Sequence, residues 1–234
     1  MACAGLLKTT LIDYPGHVAA VVFIRGCPFR CPFCHNPELV DPARYADVIP
    51  TEDILSFLAS RQGRLDGVCI TGGEPTTWPG LFDFIAQVHA LGFKIKLDSN
   101  GYYPDILNNI LDSGLIDYVA MDIKGPLAKY SIMTGVQIDT ARIVRSIDVI
   151  KQAYVTKKIA DYEFRTTLVK PLLEVVDAHG IGELMHGTPH YYVQNFAQSK
   201  HVGNVENMTG FLDTEREAFA AIAQGYVKHV GIRS

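Results

Sequence analysis

Apolar runs and helical patterns alternate along almost the whole chain. HVAAVVFIRG (17–26) is a continuous apolar stretch rich in valine, the pattern of a strand buried on both faces. TEDILSFLASRQ (51–62) predicts a helix, with Thr51 at the N-cap, acids in the first turn, and Ile54, Leu55 and Leu58 on one face. DGVCITGG (66–73) reads as a second strand. PGLFDFIAQVHALG (79–92) reads as a helix with proline at its start, Leu81, Phe82, Ile85 and Val88 inward, and Gly92 at its stop. FKIKLDSNG (93–101) and IDYVAMDIKG (116–125) are strands separated by the helix PDILNNILDSG (104–114), whose Ile106, Leu107, Ile110 and Leu111 face the core. Asp139 caps a helix that turns Ile143, Val144, Ile147 and Ile150 inward, and EFRTTLVK (163–170) is a fifth strand. A helix over roughly 173–186, interrupted by Gly180 and Gly182, precedes the sixth strand, HYYVQNF (190–196). The last helix opens on a capping box running from Thr214 to Glu217 and buries Phe219, Ile222 and Tyr226.

Six strands, each followed by a helix, predict a parallel sheet with right-handed crossovers. Six units fall short of the eight of a full barrel, which leaves an open doubly wound sheet or an incomplete barrel. No repeat, low-complexity segment or linker divides the chain, so residues 1–234 are expected to form a single domain. In either architecture chemistry lies beyond the carboxyl ends of the strands. The polar clusters obey that rule: a cysteine loop follows the first strand, GGEP (72–75) the second, DSNG (98–101) the third and MDIKG (121–125) the fourth. Four successive strand ends are expected to face one site.

Composition narrows the function classes. Hydrophobic residues make up 48% and charged residues 20%, as in ordered globular proteins. Lys and Arg total 21 against 25 Asp and Glu, and the net charge of −4 gives no footprint for nucleic acid or an anionic membrane. Asp13 and Pro15 interrupt the N-terminal segment before a signal h-region could form, and no apolar run approaches the ~18 residues of a membrane span. A cytoplasmic protein is expected, and in a reducing compartment five cysteines, three of them clustered, argue for metal or redox chemistry over disulfides.

RGCPFRCPFCHNPEL (25–39) places Cys27, Cys31 and Cys34 within eight positions. Cys69, between Val68 and Ile70, reads as a buried small hydrophobe, and Cys3 as a mobile surface thiol. One reading of the cluster is structural zinc, but such sites favour a second cysteine pair, and His35 directly after Cys34 is badly placed for the same ion. The other is a four-iron four-sulfur cluster, which usually takes four thiolates. Three leave one iron open, and an open position on a redox cluster suggests catalysis.

The C-x3-C-x2-C spacing with Phe33 before the last cysteine, followed in order by GGEP, resembles the radical S-adenosylmethionine (SAM) enzymes. With that resemblance the fold expectation becomes α/β, an incomplete (β/α)6 TIM-like barrel with parallel strands. In that family the open iron is chelated by the amino and carboxylate groups of SAM, which one-electron transfer cleaves to methionine and a 5′-deoxyadenosyl radical. CHN (34–36), DSNG (98–101) and MDIK (121–124) are similar to the activating enzymes of glycyl radical enzymes. The opening residues 5–40 are most similar to activating proteins of anaerobic ribonucleoside-triphosphate reductases, and the likeness runs through most of the first 125 residues.

The resemblance implies Cys27, Cys31 and Cys34 as catalytic ligands of a single 4Fe-4S cluster, with Phe33 beside the cofactor. Glu74, next to Gly72 and Gly73, would meet the SAM ammonium, although two glycines also suit a strand-to-helix turn needing positive φ. Asp98, Ser99 and Asp122 would hold a monovalent cation beside the methionine carboxylate, or the two acids only cap helices. Lys124 would reach that same carboxylate. Read from the residues themselves, Arg165 is either a solvated strand-end charge or a second cofactor contact, and Gln194 and Asn195, ending the sixth strand, either close the pocket by hydrogen bonds or are ordinary strand-end polarity. The implied partners are a glycyl radical enzyme, foremost the anaerobic ribonucleotide reductase, and a flavodoxin or ferredoxin as electron donor. Another glycyl radical enzyme, a small-molecule substrate, or a non-catalytic zinc-stabilised module are the alternatives.

Overall fold

The structure, a computed structural model, describes residues 3–198 and 207–233. Eight strands form one sheet in which each lies beside its neighbours in the chain. The six expected strands are β2 (Ala19–Ile24), β3 (Gly67–Gly72), β4 (Lys94–Ser99), β5 (Tyr118–Asp122), β6 (Asp161–Leu168) and β7 (His190–Asn195), all mutually parallel. Two more extend the edges: β1 (Cys3–Thr10) runs antiparallel to β2, and β8 (His229–Arg233) runs parallel to β7. Among the described residues no pairing joins β1 to β8, so the barrel stays open. The added strands lacked a sequence signal because β1 exposes its middle, Leu7 to Thr9, and β8 is five residues long with Gly231 inside it.

Seven helices accompany the sheet: α1 (Thr51–Ala59), α2 (Leu81–Ala90), α3 (Pro104–Asp112), the single-turn α4 (Tyr130–Thr134), α5 (Ala141–Val155), α6 (Asp177–Leu184) and α7 (Asp213–Gln224). Strand side chains alternate between two faces. On the outer face Val22, Ile70, Leu97, Val119 and Phe164 share one core with Ile54 and Leu58 of α1, Phe84 and Val88 of α2, Leu107 and Ile110 of α3, and Ile143 and Ile147 of α5. The inner face is small and polar. Tyr14, Ala19, Tyr118 and Ala120 form a separate cluster at the amino ends of the strands, and toward the carboxyl ends the same rows carry Cys69, Lys96, Asp98, Asp122, Glu163 and Arg165.

Several local expectations shift. Pro50, in extended geometry, takes the N-cap of α1, leaving Thr51 as its first helical residue without a side-chain cap. The Asp139 carboxylate accepts from the Ala141 N–H as expected, with Thr140 intervening as N-cap of α5. The final capping interaction begins earlier than expected: Glu215 accepts from the Leu212 N–H at 2.8 Å, and α7 starts at Asp213. That rotation buries Phe219 and Ala223 and leaves Ile222 and Tyr226 half-exposed. Ile106 lies 40% exposed, and α3 buries Pro104 instead. Cys3 is a buried strand residue opposite Ile24, not a mobile surface thiol, because the antiparallel edge strand folds it onto β2. Among the described residues no helix is long and apolar enough to cross a membrane.

The last strand is pinned from inside. Arg233 donates through both terminal nitrogens to the two oxygens of Glu163, each at 2.7 Å, while the Tyr118 hydroxyl donates to Oε2 at 2.9 Å. Glu163 is fully buried, and the Arg233 guanidinium also stacks 3.6 Å above the Tyr192 ring. Removing one member of such a pair leaves a buried charge without compensation. Arg233→Ala is expected to lower the unfolding free energy by about 3 kcal/mol in urea titration, with hydrogen exchange in β8 and β7 rising ahead of that in β2 and β3.

Candidate active site

The cysteine loop is held by hydrophobic anchors and by main-chain stitching. In CPFRCPFC the phenylalanines Phe29 and Phe33 are 1% and 3% exposed and enter the core, while the three cysteines between and beside them line an open cleft at the carboxyl ends of the strands. Gly73 N–H donates to the Ile24 carbonyl at 2.8 Å and Glu74 N–H to the Gly26 carbonyl at 2.7 Å, so the ends of β2 and β3 run on together past their ladder. Gly72 has φ +127°, and a Cβ there would come within 2.2 Å of the Ile24 carbonyl oxygen; one on Gly73 would meet the Gly26 oxygen at 2.4 Å. Gly72 is thus required for both its backbone conformation and close approach, and Gly73 for close approach.

The thiols sit in a low-polarity wall. Burial pushes Cys27 up to about 12 and Cys31 to about 11, and it raises Cys34 as well, while the Lys124 ammonium pulls Cys31 back. Binding of a thiophilic metal group must therefore expel three protons. Two donors already face the Cys27 sulfur, the Phe29 N–H at 3.4 Å and the Asn100 side-chain amide at 3.6 Å. Among the described residues no group of three or more His, Cys, Asp or Glu side chains converges as on a single metal ion. The donor set fits a four-iron cluster, in which Cys27, Cys31 and Cys34 would each bind its own iron.

Glu74 lines the cleft but its side chain is wholly buried. Its Oε1 accepts from the Thr76 N–H and hydroxyl and from the Ser99 hydroxyl at 2.9 Å, and its Oε2 accepts from the Asn100 N–H at 2.6 Å. Burial raises its carboxyl, opposed by those hydrogen bonds. The carboxylate thus ties the loop after β3 to the loop after β4. Asn100, not singled out from the sequence, completes a relay from this carboxylate to the Cys27 sulfur; its signal was the DSNG turn itself, where only Asp98 and Ser99 drew attention.

A ladder of alternating charge lines the same cleft. Arg165 on β6 donates through Nε to Asp122 at 2.9 Å and through Nη1 to Asp98 at 3.2 Å. Lys124 donates to the other oxygen of Asp122 at 3.0 Å, and Lys96 to the other oxygen of Asp98. Burial alone would raise both carboxyls, but Arg165 with Lys96 holds Asp98 below the usual carboxylate range, and Lys124 with Arg165 does the same for Asp122. Neither aspartate caps a helix. Asp98, Ser99, Asp122, Lys124, Arg165 and Gln194 all line the same cleft as the cysteines, whereas Asn195 turns away and clamps the Phe211 backbone with both ends of its amide. Lys96, two residues before Asp98, continues the period-two polar row of its strand, but a buried lysine is so rare that local pattern offers no reason to place it inside.

The cleft encloses about 220 Å3 and opens to solvent at its mouth, less than the roughly 300–1,000 Å3 of pockets that enclose a drug-sized ligand. Its lining brings together soft sulfur donors, cationic nitrogen donors and glycine backbone. Such a site can hold a metal–sulfur cluster next to a molecule that carries a carboxylate.

Comparison with known proteins agrees with this geometry. Residues 21–166 match the family described as the Radical SAM superfamily. A provisionally named glycyl-radical enzyme activating enzyme of Methanocaldococcus jannaschii is 29% identical over 238 residues, covering 99% of this chain and 95% of that protein. The pyruvate formate-lyase-activating enzyme of Clostridium pasteurianum is 32% identical over 53% of this chain, and the chain spans about half (53%) of its length. Among solved structures, Streptococcus suis SuiB bound to its precursor peptide SuiA has the same fold, with a TM-score of 0.69 at 13% identity over 92% of this chain and 48% of SuiB.

The charge ladder sets an acid limit. A carboxyl whose folded value is depressed contributes stability above its unfolded value of about 4, and that contribution is lost as pH falls through the folded value. Unfolding free energy is expected to drop as pH is lowered from about 4. In Asp122→Asn, measured by chemical denaturation at stepped pH, that acid slope is expected to be shallower.

Proposed function

The chain belongs to the Radical SAM superfamily, whose enzymes use a 4Fe-4S cluster and SAM, and we propose that it is a glycyl radical enzyme activating enzyme with Cys27, Cys31 and Cys34 as the cluster ligands. The observation that carries this reading is that the three thiols and the cations Lys124 and Arg165 line one and the same cleft. Bound there, a reduced cluster would give one electron to SAM, whose cleavage would release methionine and supply a 5′-deoxyadenosyl radical able to take a hydrogen atom from a backbone glycine.

The protein's own residues supply position and shielding. Phe29 and Phe33 fix the loop so that three thiols point to one space and water is kept from behind them. Asn100 donates toward the Cys27 sulfur and so favours its charged form. Lys124 and Arg165 hold positive charge where a methionine carboxylate would lie, fixed by Asp122 between them. Gly72 and Gly73 keep the chain close to the cysteine loop and free of side chains where the amino group would lie. Glu74 acts through the loops it joins and not as a solvent-facing partner for the ammonium.

The partner we assign is an anaerobic ribonucleoside-triphosphate reductase. The similarity of residues 5–40 supports that choice, and the near full-length likeness to a glycyl-radical enzyme activating enzyme supports the activating role. A flavodoxin or ferredoxin is the proposed electron donor, and residues 1–234 are proposed to work as one radical SAM domain.

After anaerobic reconstitution, electron paramagnetic resonance of the dithionite-reduced protein is expected to show a four-iron signal that changes when SAM is added. Cys27→Ala, Cys31→Ala and Cys34→Ala are each expected to lose it. Cys69→Ala, altering a thiol buried deep among the strands, is expected to keep it. With the reductase present, the activated mixture should give a glycyl radical doublet, and deuterium from labelled reductase glycine should appear in 5′-deoxyadenosine. An iron-free protein holding zinc would overturn the reading.

A further inference from the structure

Resting on the reading just given, one disagreement between expectation and structure leads further. The expected oxygen ligands for a monovalent cation are already engaged. Each of the four carboxylate oxygens of Asp98 and Asp122 accepts from a cationic side chain: Lys96 and Arg165 for the first, Arg165 and Lys124 for the second. The Ser99 hydroxyl donates to Glu74 and accepts from the Gly101 N–H at 3.0 Å. No lone oxygen of this set is left facing the cleft without a protein partner.

We propose that the Lys96 ammonium is a built-in cation that stands in for a bound alkali-metal ion, so that the carboxylate-binding wall of this cleft works without one. Three observations converge. Lys96 is 2% exposed, so its charge lies inside the barrel and not on a solvated strand end. Its place is fixed by the sheet register, between Cys69 of β3 and Tyr118 of β5, with its Nζ also 3.8 Å from the Cys69 sulfur. The ladder holds three cations, Lys96, Arg165 and Lys124, against the two anions Asp98 and Asp122. One positive charge is therefore left over, enough to meet one substrate carboxylate. An added metal ion would bring a second uncompensated positive charge into a poorly solvated wall, which is strongly unfavourable.

Lys96 acts through Asp98 and Arg165, and is a positioning residue. In Lys96→Met one oxygen of Asp98 is freed while Arg165 keeps the other, which recreates a vacancy for a small cation. The test compares sodium, potassium and tetramethylammonium buffers at constant ionic strength. For the wild type, SAM affinity of the cluster-loaded protein is expected to stay within twofold across the three, and thallium-205 resonance is expected to show no bound ion. For Lys96→Met, affinity is expected to fall tenfold or more in tetramethylammonium and to recover in potassium, with a bound thallium signal appearing.

A wild type that loses SAM affinity tenfold without alkali metal, or that binds thallium, would overturn the proposal. So would a folded Lys96→Met protein with no cation rescue. The wild-type arm decides the matter if the variant fails to fold. A protein that binds no SAM in any buffer would refute the proposed function, whereas the thallium measurement would still decide the role of Lys96.

Discussion

Glu74 fixes what the sheet alone leaves free. Parallel strands are held in register along their ladders, but the loops beyond their carboxyl ends have no ladder of their own. Here one buried carboxylate takes donors from Thr76 on its own loop and from Ser99 and Asn100 on the next. The loop after β4 can then present the Asn100 amide to Cys27, and the cysteine loop is in turn pinned to Gly73 and Glu74 by main-chain bonds. Three separate segments become one rigid surface. A glutamate at this position therefore matters as a structural bridge, since a buried carboxylate stripped of its donors would carry a desolvation cost of several kcal/mol.

The two walls of the cleft differ in kind. One offers sulfur in an apolar surround, where Phe29 and Phe33 exclude solvent and the free thiols keep their protons. The other offers fixed charge in a ladder whose members are each paired. The inner face of a barrel usually packs bulky apolar side chains in layers. In this protein, the Tyr14, Ala19, Tyr118 and Ala120 cluster and Val21 beside Cys69 supply apolar filling, and much of the rest of the inner face carries charge. The polar interior costs packing energy but orients five charged groups without any of them depending on solvent.

The parts legible in the sequence are those set by local periodicity and short spacing. The six central strands and most of the helices follow from apolar runs and turn residues, and the four polar clusters arrive at one cleft because each directly follows a parallel strand. The parts that were not legible depend on long-range partners. Nothing in GLLKTT or HVGIR announces an edge strand, since an edge needs only one neighbour and little burial. Glu74 and Lys96 carry charges that local reasoning puts in contact with solvent or cofactor, and only the strands packed beside them show that each is buried and paired. Cys3 was misplaced for the same reason, because its burial comes from pairing with β2.

The strictly sequential order of the eight strands bears on how the chain folds while it is made. Each strand emerging from a ribosome finds its pairing edge already formed, with no earlier strand to wait for and no insertion into a closed sheet. The sulfur wall is complete once β4 and Asn100 have docked. Arg165 joins only with β6, so between those two moments Asp98 has Lys96 as its sole cationic partner. A nascent chain thus builds its cysteine-bearing half first and acquires the full charge ladder some sixty residues of synthesis later, roughly three to thirteen seconds at ordinary elongation rates.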